Sequence, residues 1–192
     1  MRIAVIPARG GSKRIPQKNI KQFCGKPMIA WSIEAALNSN CFEQVIVSTD
    51  DEEIASIARF YGADVPFVRP KSLADDHTGT NPVIEHAIEW LSRQELNPDF
   101  VCLIYATAPF ICASDIQAGL NLIINNSCDY VLSVTSFAFP IQRGLKIDVD
   151  GRVEMFFPSN FITRSQDLEE SFHDAGQFTW GKTQIWLEGK PS

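Results

Sequence analysis

The sequence lacks any hydrophobic run long enough to cross a bilayer, since no apolar stretch approaches the roughly 18 residues that a spanning helix needs. The first residues, MRIAVIPARGG, hold too short an apolar stretch for a secretory signal peptide, and a basic loop follows at once. A basic excess is also missing, because the net charge is −6. We therefore expect a protein with no membrane and no nucleic acid among its partners.

Paired cysteine motifs are absent as well. The number of cysteines is odd, no CxxC occurs, and the spacings match no zinc pattern. No histidine or acid is spaced so as to mark a catalytic thiol. We predict reduced, mostly packed thiols in a cytoplasmic protein, with a disulfide or a catalytic thiol as the alternative. The cysteines are Cys24, Cys41, Cys102, Cys112 and Cys128.

What is present is the composition of an ordinary globular chain. Apolar residues make up 45% of the 192 residues and charged residues 21%. Such a chain buries enough apolar surface to fold, which excludes general disorder. The length predicts one domain over residues 1–192.

Short apolar runs alternate with amphipathic segments over the first 135 residues. Strands are predicted at 3–6, 45–47, 65–68, 100–105 and 130–134, and the run 100–105 is predicted to be central. Helices are predicted at 27–37, from a capping box at Thr49–Glu52 to Gly62, and around the apolar stripes 84–91 and 116–123. This alternation predicts an α/β protein with a mostly parallel sheet covered on both faces.

The pattern changes after about Ser136. Residues 145–157 predict a hairpin with Asp150-Gly151 as its turn. Residues 158–176 are polar and irregular, and 177–186 predict a last strand or strand pair. We interpret about 137–170 as an excursion from the main sheet, such as a dimerisation arm.

The most informative segment is the loop that follows the first predicted strand. Residues 8–21 hold five basic side chains and no acid, although the whole chain has more acids than bases. Ligands of open α/β sheets bind at the carboxyl ends of strands. Gly10 and Gly11 allow backbone N–H groups to approach phosphate oxygens, and the cations neutralise the remaining charge. The loop therefore predicts a polyphosphate site. Its basic residues are Arg9, Lys13, Arg14, Lys18 and Lys21.

Neither common phosphate motif is present in this loop. GxxxxGK[ST] and GxGxxG are both missing, which argues against a P-loop enzyme and a dinucleotide-binding protein. Lysines near a triphosphate stabilise the charge that builds on departing pyrophosphate. The alternative is a solvated basic loop in which the glycines serve only the turn.

The segment IPARGGSKRIPQKNI, residues 6–20, resembles the N-terminal motif of the CMP-sialic acid synthetase family. VSTDDEEIA and VRPKSLADD are similar to the family's next two segments. TRSQDLEESFHDAGQF, residues 163–178, resembles the branch that uses pseudaminic acid, although Ala106 stands where we expect proline in that branch. The resemblance covers essentially the whole chain.

This resemblance implies a Rossmann-like nucleotide-diphospho-sugar transferase fold with three α/β/α layers. It implies Mg²⁺ dependence, CTP and an acidic nine-carbon sugar as substrates, and a homodimer with a protruding arm. It also implies catalytic roles for Arg9 and Lys18, which contact the triphosphate. The implied nucleotide-binding residues are Ala8, Arg9, Gly10, Gly11, Ser12, Lys18, Asn19, Arg69 and Thr80.

The metal ligands are unknown from this sequence. The family places a short Asp-Ile-Asp-like metal motif beyond its last strand, and the 192 residues do not contain it. Either the sequence is a truncated version or it has lost the motif.

Several polar residues outside the loop could have either a structural or a ligand-binding role. Asp50 and Asp51 are favoured as acids at a helix N-terminus rather than as metal ligands. Arg69 is favoured as a phosphate or cytosine contact over a surface arginine. Asp75 and Asp76 are favoured as part of a solvated loop that closes over nucleotide.

The sugar acid needs a cation for its carboxylate, and the planar fork of arginine suits it. Arg143 and Arg164 are the candidates, with an ion pair to Asp167, Glu169 or Glu170 as the equal alternative for Arg164. His173 is predicted to contact the sugar, either as a base or as a hydrogen-bonding group. The full set of predicted substrate-binding residues is Thr107, Arg143, Arg164, His173, Asp174 and Gln177.

The sequence thus predicts a cytidylyltransferase that converts CTP and a free nonulosonic acid, pseudaminic acid, into a CMP-sugar and pyrophosphate. The alternatives are a synthetase for N-acetylneuraminic, legionaminic or Kdo-type acids, and a non-catalytic nucleotide-binding protein.

Overall fold

The structure, a computed structural model, describes residues 1–190 and divides into two compact units. The first unit comprises Met1–Ser133 together with the chain from Gly176 onward. The second unit comprises Val134–Ala175 and overlaps the excursion predicted at about 137–170. Its role as a dimerisation arm stays a prediction, as does the single domain over 1–192.

The elements follow the predicted alternation. The strands are β1 (Arg2–Pro7), β2 (Gln22–Phe23), β3 (Lys26–Pro27), β4 (Gln44–Ser48), β5 (Phe100–Ile104), β6 (Tyr130–Ser136), β7 (Leu145–Ile147), β8 (Val153–Met155) and β9 (Phe172–Lys182). The helices are α1 (Met28–Asn38), α2 (Glu52–Phe60), α3 (Thr80–Arg93), α4 (Ala113–Asn125) and α5 (Thr183–Leu187).

Five strands form the main sheet in the order β4-β1-β5-β9-β6. β1 pairs in parallel with both β4 and β5, whereas β9 pairs antiparallel with β5. The central place predicted for the run 100–105 is confirmed. The sheet is mixed, because β9 inserts an antiparallel strand beside the parallel group.

Helices cover both faces of this sheet, which confirms the three-layer α/β/α prediction. Ile3 and Val5 of β1 pack with the apolar stripe of α3 and with Trp186 of α5. Ala4 and Ile6, which alternate with them, pack with residues of α1, α2 and α4 on the other face. The alternation along a buried strand therefore assigns neighbouring side chains to two separate cores.

The start of α2 differs from the prediction by its capping residue. The carboxylate of Asp51 accepts the N–H of Ile54 at 3.0 Å, so Asp51 is the N-cap. The capping box predicted from Thr49 is wrong, because the Thr49 hydroxyl instead accepts the N–H of Asp51 at 3.1 Å. The helix consequently begins at Glu52. Asp51 is thus an acid at a helix N-terminus, as favoured from the sequence.

The strand predicted at 65–68 is wrong. Only two isolated parallel bridges join this segment to the β4 region, between Ile46 and Asp64 and between Thr49 and Val68. Pro66 lies between them and cannot donate a ladder hydrogen bond. The segment follows the edge of the sheet without becoming a regular strand.

Two predicted boundaries near the end of the chain also change. β7 and β8 form the predicted antiparallel hairpin, but their loop is 148–152, longer than an Asp-Gly turn. The Asp148 carboxylate organises that loop by accepting the N–H groups of Asp150 and Arg152 at 2.9 and 2.8 Å. The strand predicted at 177–186 begins earlier, at Phe172, and α5 replaces its end.

All five cysteines are free thiols. Cys41 and Cys102 are buried, Cys128 is half-buried, and Cys24 and Cys112 are exposed, so packing is less general than predicted. Burial raises the pKa of the Cys102 thiol well above its ordinary value. Over residues 1–190, no helix combines the length and apolar character that a membrane span requires.

Gly181 of β9 should be intolerant of any side chain. A Cβ there would lie 2.4 Å from Trp186 Nε1 and 2.6 Å from Tyr130 Cε1, and Trp186 is fully buried. We expect Gly181→Ala to reduce the free energy of unfolding by about 3 kcal/mol through overpacking. Thermal denaturation checks this, with Gly11→Ala as the control because a Cβ at Gly11 meets nothing within 4 Å. Equal melting temperatures of the two variants would contradict the packing argument.

Candidate active site

A cavity of about 680 Å³ opens in the first unit at the carboxyl ends of β1 and β5. Five cationic side chains line it against a single acid, which makes it a site for a polyanion. The N-terminus of α3 also contributes to the wall, and helix N-termini favour phosphate. The lining residues are Pro7, Arg9, Ser12, Lys13, Arg14, Ile15, Lys18, Asn19, Arg69, Asp76, Thr78, Gly79, Thr80, Val83, Tyr105, Ala106 and Thr107.

The basic loop is closed at its base by Asn19. This side chain is buried, with 6% exposure, and its Nδ2 donates to the carbonyl of Arg9 at 2.9 Å. Ala8, fully buried, continues the β1–β4 pairing by donating its N–H to Ser48 at 2.9 Å. The two ends of the loop are therefore fixed to the sheet and to each other, while the cations between them line the cavity.

Gly10 is required by the close approach of the loop to α2. Its N–H donates to the Asp50 carboxylate at 3.0 Å, and an added Cβ would lie 2.6 Å from Asp51 Oδ2. A larger residue would push the loop away from the start of α2. In this structure the Asp50 carboxylate thus accepts the Gly10 N–H that was predicted to bind phosphate. The phosphate contact of Gly10 stays a prediction.

Arg69 places a buried cation in the wall of the cavity. Its side chain is 4% exposed and hydrogen-bonds Ser48 twice, through Nε to Oγ at 3.1 Å and through Nη2 to the carbonyl oxygen. Among the ion pairs of residues 1–190, none involves Arg69. Burial lowers the pKa of Arg69 to about 10, and the charge of Asp50 partly offsets this shift. At neutral pH Arg69 remains a cation. An anion in the cavity would stabilise this charge and so compensate for the water that burial removes from it.

Among the described residues, Asp76 is the only acid in the lining, and it pairs with two cations of the basic loop. Its Oδ1 lies 2.7 Å from Arg9 Nη2, and its Oδ2 contacts Lys13 Nζ. These two contacts, with Lys13 first, hold the pKa of Asp76 below its ordinary value. Asp76 therefore stays ionised over the whole neutral range.

The cavity brings together seven of the nucleotide- and substrate-binding residues predicted from the sequence. Ala8 is instead buried beneath it, and Gly10 and Gly11 lie in the loop between the lining residues Arg9 and Ser12. The roles of all these residues stay predictions. The seven are Arg9, Ser12, Lys18, Asn19, Arg69, Thr80 and Thr107.

The predicted sugar-binding residues Arg143, Arg164, His173 and Asp174 belong to the second unit. Arg164 forms a two-pronged ion pair with Asp167 at 2.7 and 3.1 Å, one of the alternatives weighed from the sequence.

Two further side chains of this group, Arg143 and His173, also have local partners. Arg143 donates to the carbonyl of Thr163 at 2.7 Å, and its Nε is buried without a hydrogen-bond partner among residues 1–190. His173 Nδ1 lies 2.9 Å from the carbonyl of Asp174, and its ring packs against Phe137. Gln177 lies in β9, in the first unit. Their substrate contacts stay predictions.

Sequence reasoning missed two features of the cavity. Tyr105 lines it directly after β5, and Asp76 pairs with the basic loop. The sequence placed Asp76 in a loop that closes over nucleotide but indicated no partner for its carboxylate. Its partners are more than sixty positions away, so no local pattern identifies them.

No group of three or more His, Cys, Asp or Glu side chains that could hold a metal ion occurs in the described part of the chain. Around the cavity, Asp50 is bonded to Gly10 and Asp76 is paired with Arg9 and Lys13. The described carboxylates therefore do not fit a preformed magnesium cage, which would need oxygen ligands free of cations.

Comparison with known proteins agrees with this geometry. A family model for cytidylyltransferases matches residues 3–177. The pseudaminic acid cytidylyltransferase of Campylobacter jejuni is 46% identical over 186 residues, which are 97% of this chain and 80% of that protein. The CMP-N,N'-diacetyllegionaminic acid synthase of Legionella pneumophila is 49% identical over 111 residues, 56% of this chain and 47% of that protein.

A solved structure shows the same fold. The CMP:2-keto-3-deoxy-manno-octonic acid synthetase complexed with CTP superposes with a TM-score of 0.69 and 20% identity, covering 100% of this chain and 78% of that one. The family model and the relatives confirm the resemblance predicted from the sequence motifs. The chain is a member of the cytidylyltransferase family.

Proposed function

We propose that this cytidylyltransferase couples CTP to free pseudaminic acid, giving CMP-pseudaminic acid and pyrophosphate. The observation that carries the proposal is the cavity at the strand ends, where five cations face one acid. The identity to relatives that bear this activity in their names, over 97% of the chain, supports the choice of sugar.

The charge distribution in this cavity supports the proposed reaction. The oxygen on the anomeric carbon of the sugar attacks the α-phosphorus of CTP, and a new P–O bond forms. The P–O bond to the bridging oxygen of the β-phosphate breaks, pyrophosphate leaves, and the hydroxyl proton passes to water. Arg9 and Lys18 would hold the β- and γ-phosphates and stabilise the charge that develops on the leaving group.

The other nucleotide contacts belong to the same proposal. Ala8, Gly10, Gly11, Ser12 and Asn19 would bring the loop backbone to the nucleotide. Arg69 would face the anion from beneath, and Thr80 would contact it from the N-terminus of α3. Support comes from the lining of the cavity and from the buried, unpaired charge of Arg69.

The experiment that tests the reaction is pyrophosphate release with CTP, Mg²⁺ and a panel of sugar acids. We expect release with pseudaminic acid and at least tenfold less with N-acetylneuraminic, legionaminic and Kdo acids. Equal or faster release with legionaminic acid would reassign the substrate, and the relative with 49% identity makes that comparison essential. CTP binding without release for any sugar would favour a non-catalytic nucleotide-binding protein.

In this proposal, Mg²⁺ would bind together with the nucleotide. Because the described carboxylates form no metal cage, the triphosphate oxygens and water would supply most of its ligands. The ion would neutralise phosphate charge when bound. The positioning of the triphosphate is left to the chain's own cations.

We further propose that the second unit is a dimerisation arm. Within it, Val149, Ile162, Ile147 and Phe161 are 103, 89, 73 and 71% exposed. Apolar exposure concentrated in this way marks a protein interaction surface.

Sedimentation velocity tests the arm. The wild type is expected to sediment as a dimer, and the double variant Phe161→Asp/Ile162→Asp as a monomer. Phe60→Asp in the first unit is the control, because Phe60 is equally exposed at 83% and is expected to leave the dimer intact. A monomeric wild type would refute the arm.

The compartment and partners complete the proposal. Free thiols throughout the chain support a reducing compartment, the cytoplasm. The net charge of −6 supports small anionic substrates held by one local basic site, with neither nucleic acid nor membrane as partner.

A further inference from the structure

Asp76 lies where an anionic ligand of the basic loop would lie. Its two carboxylate oxygens contact two different cations, Arg9 and Lys13, and so satisfy charges that a phosphate would satisfy. All three side chains line the same cavity. In this structure these two loop cations are therefore paired with an anion of the chain itself.

The segment that carries Asp76 is braced independently of this ion pair. The Asp75 carboxylate accepts the N–H groups of His77 and Thr78 at 2.9 and 2.6 Å and the Thr78 hydroxyl at 2.8 Å. Arg9 also donates to the carbonyl oxygens of Ala74 and Asp75. Breaking the Asp76 contacts would thus free Arg9 Nη2 and Lys13 Nζ, while Arg9 Nη1 and the Asp75 carboxylate still hold the turn.

The contacts of Asp76 are exposed enough to be displaced. The side chains of Arg9 and Asp76 are 31 and 28% exposed, and that of Lys13 is 80% exposed. Ion pairs this open to solvent contribute little free energy. A triphosphate carries several negative charges where Asp76 carries one, so it competes well for the same cations.

We propose that Asp76 is an internal counter-ion, which the incoming polyphosphate displaces and which returns to Arg9 and Lys13 when pyrophosphate leaves. This residue would set the affinity of the site for phosphate groups and favour product release. The inference rests on the proposed function, because it takes the basic loop as the triphosphate site.

Calorimetric titration with inorganic pyrophosphate and with CTP tests this directly. Asp76→Asn should lower both dissociation constants about 3- to 10-fold, since the competing charge is gone. The matched control is Asp75→Asn, which makes the same charge change one residue away. Asp75 holds backbone N–H groups rather than cations, and asparagine can still accept them, so its constants should stay within about twofold of the wild type.

Kinetics provide a second readout that a purely structural role would not change. In Asp76→Asn, pyrophosphate should become a stronger product inhibitor and the KM for CTP should fall, while the melting temperature stays within about 2 °C. Unchanged or weaker pyrophosphate binding in this variant would overturn the counter-ion role and leave the proposed function standing. Absence of binding by the wild type and by both variants would overturn both.

Discussion

Lys18→Ala should lower kcat for pyrophosphate release about 100- to 1000-fold and leave the melting temperature unchanged. Lys18 is exposed at the cavity, and no ion pair engages it within residues 1–190. Its charge therefore contributes little to folding. Removing one cation that faces the developing charge on the leaving group has an effect of this size in enzymes that stabilise such charge. The measurement is steady-state release with saturating CTP and pseudaminic acid.

Lys21→Ala is the matched control for this variant. Lys21 is also exposed and belongs to the same basic run, but it does not line the cavity. We expect it to retain at least half of the wild-type turnover. If both variants lose activity equally, the general positive charge of the loop matters rather than the position of Lys18. Near-normal turnover in Lys18→Ala would remove it from the catalytic machinery.

The periodicity of apolar residues explains why most of the fold was predictable. In α3, the stripe of Ile84, Ala87, Ile88 and Leu91 is buried in full, and the continuous apolar run of β5 lies at the centre of the sheet. Both apolar patterns indicate burial directly. A buried helix face must be apolar at every turn, and a central strand must be apolar along its whole length.

Predictions failed where local hydrogen bonds compete with such patterns. The run 65–68 is apolar, yet Pro66 cannot donate to β4, and Val68 remains 73% exposed. At α2, both Thr49 and Asp51 are good caps, and only the backbone geometry selects Asp51. The hairpin loop is likewise set by the Asp148 carboxylate rather than by Asp150-Gly151 alone.

The part of the candidate site that is local in sequence was predictable, and the part that depends on tertiary contacts was not. The basic loop is one continuous segment, so its excess of positive charge and its glycines could be identified from the sequence. Asp76 and Arg69 reach the loop only through the fold, because β4 and the segment beside it carry them to the end of β1. The resemblance to a family indicated Arg69, but its burial and its bonds to Ser48 are tertiary facts.

That burial gives Arg69 a cost in stability beside its proposed role in binding. The fall of the Arg69 pKa to about 10 means that folding disfavours the protonated side chain, by an amount on the order of 3 kcal/mol. Because the folded-state pKa is the lower one, this cost is present in full below about pH 10 and disappears only as the pH rises towards the higher pKa of the unfolded chain. The two hydrogen bonds to Ser48 offset part of it.

Arg69→Met should therefore separate binding from stability. We expect the dissociation constant for CTP to rise at least about 100-fold, since a desolvated cation that faces a polyphosphate is lost. The melting temperature should stay the same or rise by a few degrees, because methionine fills the site without a charge and the Ser48 carbonyl still accepts the N–H of Ala8. Calorimetry and thermal denaturation at pH 7.5 measure the two effects. A fall in melting temperature beyond about 5 °C would mean that the bonds to Ser48 outweigh the cost of burial, and retained CTP affinity would show that the buried charge does not serve the nucleotide.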